Sequence, residues 1–243
     1  MSRGRVLTGV LCLAAALLGP IAAARAAMPL GEILTYPVPT ASSNPFGIAA
    51  GSDGNLWFTE AGTNAIAAVT AGGSFAGPYT VPTTGADPEA IAAGSNGSLW
   101  FTEPDQGKVG EISTTGSFTQ LPVAGAGSLG PITAGTDSAL WFTDSGKNSI
   151  DRIPVTATPS NPQVTSQTIP TAGASPAGIA ADADGDLWFT EQGTSKVGEL
   201  VPPDTFHEYS TKRRLAGPGA VPCPATAAVP RSSGSHRLAR TWC

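Results

Sequence analysis

Cysteine is scarce, and the three residues present sit at the margins. Cys12 lies near the start of the 243-residue chain and Cys223 and Cys243 near its end, so residues 13–222 fold without a disulfide. Histidine occurs twice, at His207 and His236, which gives little basis for a histidine-held zinc site. The glycines precede no helical pattern, so no phosphate cradle is present, and no serine-centred nucleophile elbow can be read. Positive charge is also sparse. Only Lys108, Lys147, Arg152 and Lys196 oppose the 18 acidic residues in segment 27–211, a net charge of −14 there. Such a segment does not suit nucleic acid phosphates or an anionic membrane surface. It leaves room for a cation or a cationic ligand.

The one long apolar run, residues 6–18, is shorter than the roughly 20 residues that span a bilayer. Arg3 and Arg5 precede it and Ala24-Arg25-Ala26 follows it. Residues 1–26 therefore read as a cleaved secretory signal peptide, with a retained anchor as the alternative. The expectation is a secreted protein with no membrane and no nucleic acid partner.

Against this sparse background one pattern stands out. Leu56-Trp57-Phe58-Thr59-Glu60 recurs as Leu99–Glu103, as Leu140–Asp144 and as Leu187–Glu191, with the tryptophans 43, 41 and 47 residues apart. Each copy follows a short Gly/Ile/Ala run, at residues 47–50, 90–93, 131–134 and 178–181. Between the two runs lies a turn signal such as Asp53-Gly54 or Asp184-Gly185, a strong short hairpin signature. Each unit thus reads as four short strands, in the first near 47–51, 55–60, 65–70 and 78–82. A period near 42 with four strands per unit is the signature of a β-propeller blade. The fold class is all-β, a propeller of four full blades. Trp and Phe alternate along the second strand, so one ring packs against each neighbouring blade.

Segment 32–37 resembles the fourth strand of a blade and reads as an orphan outer strand, of the kind that closes a propeller by pairing with inner strands from the other end. Residues 27–211 form the repeat domain. Beyond Thr211 the period, composition and charge sign change together, and residues 212–243 carry six basic residues and no acid. That segment reads either as a frameshifted or misassembled end in place of further blades or as a disordered basic tail. A closed four-bladed ring and oligomerisation that covers open blade faces both remain compatible with the pattern.

The phrase Gly51-Ser52-Asp53-Gly54-Asn55-Leu56-Trp57-Phe58-Thr59-Glu60, with Asn64 and Ile66 after it, resembles the streptogramin B (virginiamycin B) lyase family. So do Lys108-Val109-Gly110-Glu111-Ile112 and Lys196-Val197-Gly198-Glu199-Leu200. The resemblance covers residues 32–211. It implies a seven-bladed relative, for which roughly 295 residues are needed at this period. It implies elimination at an ester of a cyclic depsipeptide antibiotic, aided by magnesium, at the propeller rim. It also places the family's catalytic histidines just after the proline of the first strand, and its functional glutamate fourteen residues later. Here the histidine positions hold Phe46, Glu89, Gly130 and Ala177, and the matching acids are Glu60, Glu103, Asp144 and Glu191.

These substitutions leave the catalytic residues unassigned. They open two further readings, a non-catalytic exported binding module and an inactive product of a broken gene. The four acids could hold Mg2+ as a rim, but their repetition in every unit favours a structural role in which each caps its own loop. Phe46, Asp87 and Glu89 are expected to line the central channel. Residues 182–186, Asp-Ala-Asp-Gly-Asp, read as hairpin turn chemistry rather than a calcium loop, since no bidentate Glu follows. His207 is expected to be exposed on an outer strand.

Overall fold

The computed structural model describes residues 33–211. The expected signal peptide (1–26) and the basic segment 212–243, with His236, lie outside the described residues. Residues up to Pro37 form one unit and those from Val38 onward another. In the first unit, residues 33–37 carry no strand assignment, because the proposed orphan strand finds no ladder partner among the described residues.

The second unit holds four antiparallel sheets of four strands, each in simple chain order. The first is β1 (Pro45–Ala50), β2 (Leu56–Glu60), β3 (Ala65–Val69) and β4 (Phe75–Thr80). The second is β5 (Ile91–Ala93), β6 (Leu99–Glu103), β7 (Lys108–Ile112) and β8 (Phe118–Pro122). The third is β9 (Leu129–Ala134), β10 (Ala139–Asp144), β11 (Ser149–Pro154) and β12 (Thr165–Thr168). The fourth is β13 (Pro176–Ala181), β14 (Leu187–Glu191), β15 (Lys196–Val201) and β16 (Thr205–Ser210). No α-helix occurs among the described residues, so none is available to cross a membrane. Two single 3-10 turns, Ala61–Thr63 and Pro104–Gln106, follow β2 and β6 and were not legible in the sequence. The fourth strand of the first blade starts three residues earlier than expected, at Phe75, and its pairing with β3 shifts register between Ile66 and Ala68.

The first strands lie side by side in the order β1, β5, β9, β13, which makes them the inner strands of four consecutive blades. Comparable packing of β13 back onto β1 does not occur, so the sheets do not close into a ring.

The alternation along the second strand builds the contacts between blades. Trp57, Ile66 and Ala68 share a core with Ile91, Leu99, Phe101 and Ile112 of the next blade. Trp100 and Val109 meet Leu140, Phe142 and Ile153. Trp141 and Ile150 meet Leu187, Phe189 and Leu200. In each case the Trp face of one blade packs on the Leu/Phe face of its successor. A buried Trp removes about 200 Å² from water, roughly 5 kcal/mol at about 25 cal/mol per Å² before entropy is counted.

The buried indole N–H also needs an acceptor, and the hairpin turn supplies it. Trp57 Nε1 donates to Asp53 Oδ1 and Oδ2, both at 3.2 Å, Trp100 to Asn96 Oδ1 at 3.3 Å, Trp141 to Asp137 Oδ1 at 3.2 Å and Trp188 to Asp182 Oδ2 at 3.0 Å. The turn signals of the sequence therefore serve the core as well as the chain reversal. In residues 182–186, Asp182 also accepts the backbone N–H groups of Asp184 and Asp186, each at 3.0 Å, so this segment is an Asp-capped turn.

Thr59 and Thr143, each in its own run, link neighbouring blades. Gly47 donates its N–H to Thr59 Oγ1 at 2.8 Å, and Thr59 donates its hydroxyl to the Glu89 carbonyl of the next blade at 2.7 Å. Thr143 donates likewise to the Ala177 carbonyl at 3.2 Å. Thr102 breaks the pattern. Its backbone pairs directly with Ala90 and Glu89, and its buried hydroxyl has no partner.

Candidate functional site

The inner strands carry the positions at which the sequence resemblance looked for histidines. Phe46 lies on β1 and is 64% exposed, with Ile48 two residues on at 62%. Glu89 stands just before β5, half-buried, and its N–H donates to the Thr102 carbonyl at 3.2 Å. Gly130 lies on β9 and Ala177 on β13, so two of the four positions carry no functional side chain. Asp87 sits exposed in the loop ahead of Glu89, in the left-handed backbone region at φ 43°. Burial raises the carboxyl pKa of Glu89, and the charges of Asp105 and Asp87 push it further up.

The four acids that end the Leu-Trp-Phe-Thr runs are all buried, on the second strands, and each is enclosed in its own blade. Asp144 accepts the backbone N–H groups of Gly127 at 3.0 Å, Ser128 at 3.1 Å and Lys147 at 3.0 Å, and pairs with Lys147 Nζ at 3.5 Å. It ties the incoming crossover loop to the end of β10. Glu60 accepts from the Thr63 hydroxyl at 3.3 Å and Glu191 from the Thr194 hydroxyl at 2.6 Å, each with its other oxygen unpartnered. Neither oxygen of Glu103 has a partner at full hydrogen-bond geometry, although the Thr83 and Gln120 side chains stand near enough to favour its charged form. Burial raises its pKa, opposed in part by nearby Thr83, Gln120 and the Lys108 charge.

Among the described residues no three His, Cys, Asp or Glu side chains gather in a metal-holding arrangement. Magnesium asks for a near-octahedral oxygen shell. Glu60, Asp144 and Glu191 are each engaged by their own loops and Glu103 lies buried apart from them, so the four acids do not fit a shared ion of that kind.

The lysines on or beside the third strands were named in the sequence, but their structural role was not legible there. Lys196 Nζ lies 2.6 Å from both Glu208 Oε2 and Thr171 Oγ1. Lys147 Nζ lies 2.8 Å from the buried Asp151, which also accepts from Ser149 at 2.7 Å. Lys108 Nζ donates to Thr83 Oγ1 at 3.1 Å. Each stands at the acid-bearing end of its blade and ties strands or crossover loops together, work that a spacing pattern does not reveal. His207 lies exposed on β16, the outermost strand of its sheet.

Comparison with known proteins places this scaffold. The model of the virginiamycin B lyase family matches residues 23–229. A virginiamycin B lyase from Staphylococcus aureus superposes with a TM-score of 0.68 at 37% identity, over 74% of this chain and 59% of that one. A catalytically inactive variant of the Staphylococcus aureus lyase, solved with quinupristin, gives the same TM-score, identity and coverage. A streptogramin B lyase structure superposes with a TM-score of 0.68 at 35% identity, over 73% of this chain and 58% of that one. The chain thus spans under two thirds of the length of these relatives. Among curated proteins, none matches.

Proposed function

The chain belongs to the virginiamycin B lyase family, and from that premise we propose that it is an exported propeller that binds a streptogramin B-type cyclic depsipeptide at its inner strands without opening it. The observation that carries this reading is that the four described blades hold Phe46, Glu89, Gly130 and Ala177, and no histidine, at the inner-strand positions where the resemblance looks for one. Elimination at an ester needs a base for the acidic Cα proton and a group that stabilises the departing carboxylate. Phe46, Gly130 and Ala177 supply neither. Binding asks for less: apolar and aromatic surface with a few polar groups that fix orientation. Exposed Phe46 and Ile48 give apolar surface, and Glu89 gives an acceptor. The quinupristin-bound relative supports a ligand of this class. No step is assigned to magnesium, because the acids as placed do not fit it.

One observation favours a second reading, retained lyase activity with Glu89 as the base. Its raised pKa moves it toward the range that a general base needs near neutral pH.

Calorimetric titration with quinupristin, followed by mass spectrometry of the ligand with and without added magnesium, separates the readings. Saturable heat and a ligand of unchanged mass and cyclic form are expected. Ring opening that Glu89→Gln abolishes supports the second reading and overturns the first. A protein that neither binds nor turns over, with a broad, molten thermal profile, is an inactive gene product, and both readings then fall.

A further inference from the structure

At one junction of the inner strands, two side chains able to contact a ligand stand next to each other. The β1 and β5 sides meet backbone to backbone at Gly47, where an added Cβ would lie 2.5 Å from the Glu89 carbonyl oxygen and 3.2 Å from Ala90 Cα. Phe46 precedes this contact by one residue, and Glu89 forms its other side. One hydroxyl fixes both. Thr59 Oγ1 takes the Gly47 N–H at 2.8 Å and donates to the Glu89 carbonyl at 2.7 Å, while the Glu89 N–H donates to the Thr102 carbonyl at 3.2 Å. Glu89 is thus held through its backbone, and its carboxylate makes no ion pair among the described residues.

The charge around the junction is of one sign. Asp105 and Asp87 lie near enough for their charges to act on the Glu89 carboxyl, beyond the effect of its burial. The four cations of the described residues are engaged elsewhere: Lys108 with Thr83, Lys147 with Asp144 and Asp151, Arg152 with Asp137, and Lys196 with Glu208. Phe46 is 64% exposed and belongs to none of the ring pairs of the fold. An open aromatic face attracts a cation within about 6 Å of its centroid, and a neighbouring carboxylate adds the countercharge. The equivalent places on β9 and β13 hold Gly130 and Ala177, so the described residues carry this pairing once.

We propose that Phe46 and Glu89 form a subsite for a protonated or quaternary amine, with the ring against its carbon groups and the carboxylate as its countercharge. The ring alone would accept any apolar group. The carboxylate makes the preference one of charge. That the subsite selects cyclic depsipeptides bearing a basic amine rests on the ligand reading above, whereas the subsite itself rests on the junction.

Saturation-transfer NMR of the full-length chain with tetramethylammonium chloride tests the subsite, with tert-butyl alcohol as an uncharged ligand of similar shape. The ammonium is expected to bind saturably, with a dissociation constant on the order of millimolar to tens of millimolar, and to shift the Phe46 ring protons of wild type. The alcohol is expected to do neither. Phe46→Ala is expected to weaken ammonium binding about two- to fivefold, the size of one exposed cation–ring contact, and Glu89→Gln at least as much. Asp204→Asn removes one charge from the exposed turn between β15 and β16 and is expected to change nothing. Circular dichroism checks that each variant is folded. Phe46 ring protons that stay unmoved in wild type overturn the proposal, as does equal binding of the alcohol. So does an equal loss in Asp204→Asn, which would mark a diffuse attraction to an acidic protein. Calorimetry with quinupristin reads the ligand class separately. Ammonium binding without quinupristin heat keeps the subsite and overturns the depsipeptide reading, and quinupristin heat without ammonium binding does the reverse.

Discussion

Thr59 and Thr102 occupy the same rung of successive blades, and both are fully buried, yet the structure gives them opposite energetic roles. Replacing Thr59 with valine keeps shape and removes one hydroxyl. That hydroxyl accepts the Gly47 N–H at 2.8 Å and donates to the Glu89 carbonyl at 2.7 Å, so the change leaves a donor and an acceptor without partners between two blades. Each stranded group costs about 1–3 kcal/mol. Because Gly47 is only half-buried and can recruit water, Thr59→Val should cost about 2–3 kcal/mol in all. Thr102→Val removes a hydroxyl that already lacks a partner, so it should be neutral or stabilise by up to about 1 kcal/mol. Urea unfolding of the two variants at one protein concentration reads the difference as a shift in midpoint at unchanged slope. Equal costs, or a larger cost at Thr102, would show that the hydroxyls do not latch the blades.

Other changes test other parts of the packing. Gly110 lies opposite Phe101, and a Cβ there would run into the Phe101 ring, so Gly110→Ala should cost about 1–3 kcal/mol of overpacking in thermal unfolding. The alanine that stands opposite Phe58, Ala67, shows that the first blade spaces this pair differently. Asp144→Ala strips the acceptor from three backbone N–H groups and should cost about 2–4 kcal/mol in chemical denaturation. Glu103→Gln probes pH. The folded-state pKa of Glu103 is raised, so this group favours the folded state at low pH and that advantage is lost as pH rises through its folded value. The glutamine variant should therefore gain on wild type from pH 4 to pH 8 in thermal melts. A constant difference across that range would argue against a buried neutral acid.

Much of the fold was legible because the repeat displays it. Trp57 and Phe58 on alternate sides of one strand announced a sheet sandwiched between two others, and the turn at Asp53-Gly54 fixed where the strand begins. The ends of the strands were less legible. Where β4 starts depends on a register shift against β3, a tertiary feature with no local sequence mark. Segment 32–37 has the pattern of a blade's fourth strand, but a strand exists only with a ladder partner, and residues 33–37 form no ladder among the described residues.

At the site, absence was easier to read than role. The lack of histidine at Phe46, Glu89, Gly130 and Ala177 is plain from sequence alone. The roles of the acids are set by crossover loops: Asp144 holds three backbone groups while Glu103, its counterpart one blade back, holds none, and no spacing rule separates them. The Trp-to-Asp bonds could have been anticipated, since a buried indole N–H seeks an acceptor and the same turn lies four residues before Trp57 and Trp141.

The claim beneath all of this is that Trp57, Trp100 and Trp141 each pack forward onto the Leu/Phe face of the following blade and onto no other blade. A double-mutant cycle between Trp100→Leu and Phe142→Leu, set beside one between Trp100→Leu and Phe58→Leu, measures it directly. The account requires coupling of about 0.5–3 kcal/mol in the first cycle and additivity within about 0.5 kcal/mol in the second. Additivity of Trp100 with Phe142, or coupling of Trp100 with Phe58, would contradict it.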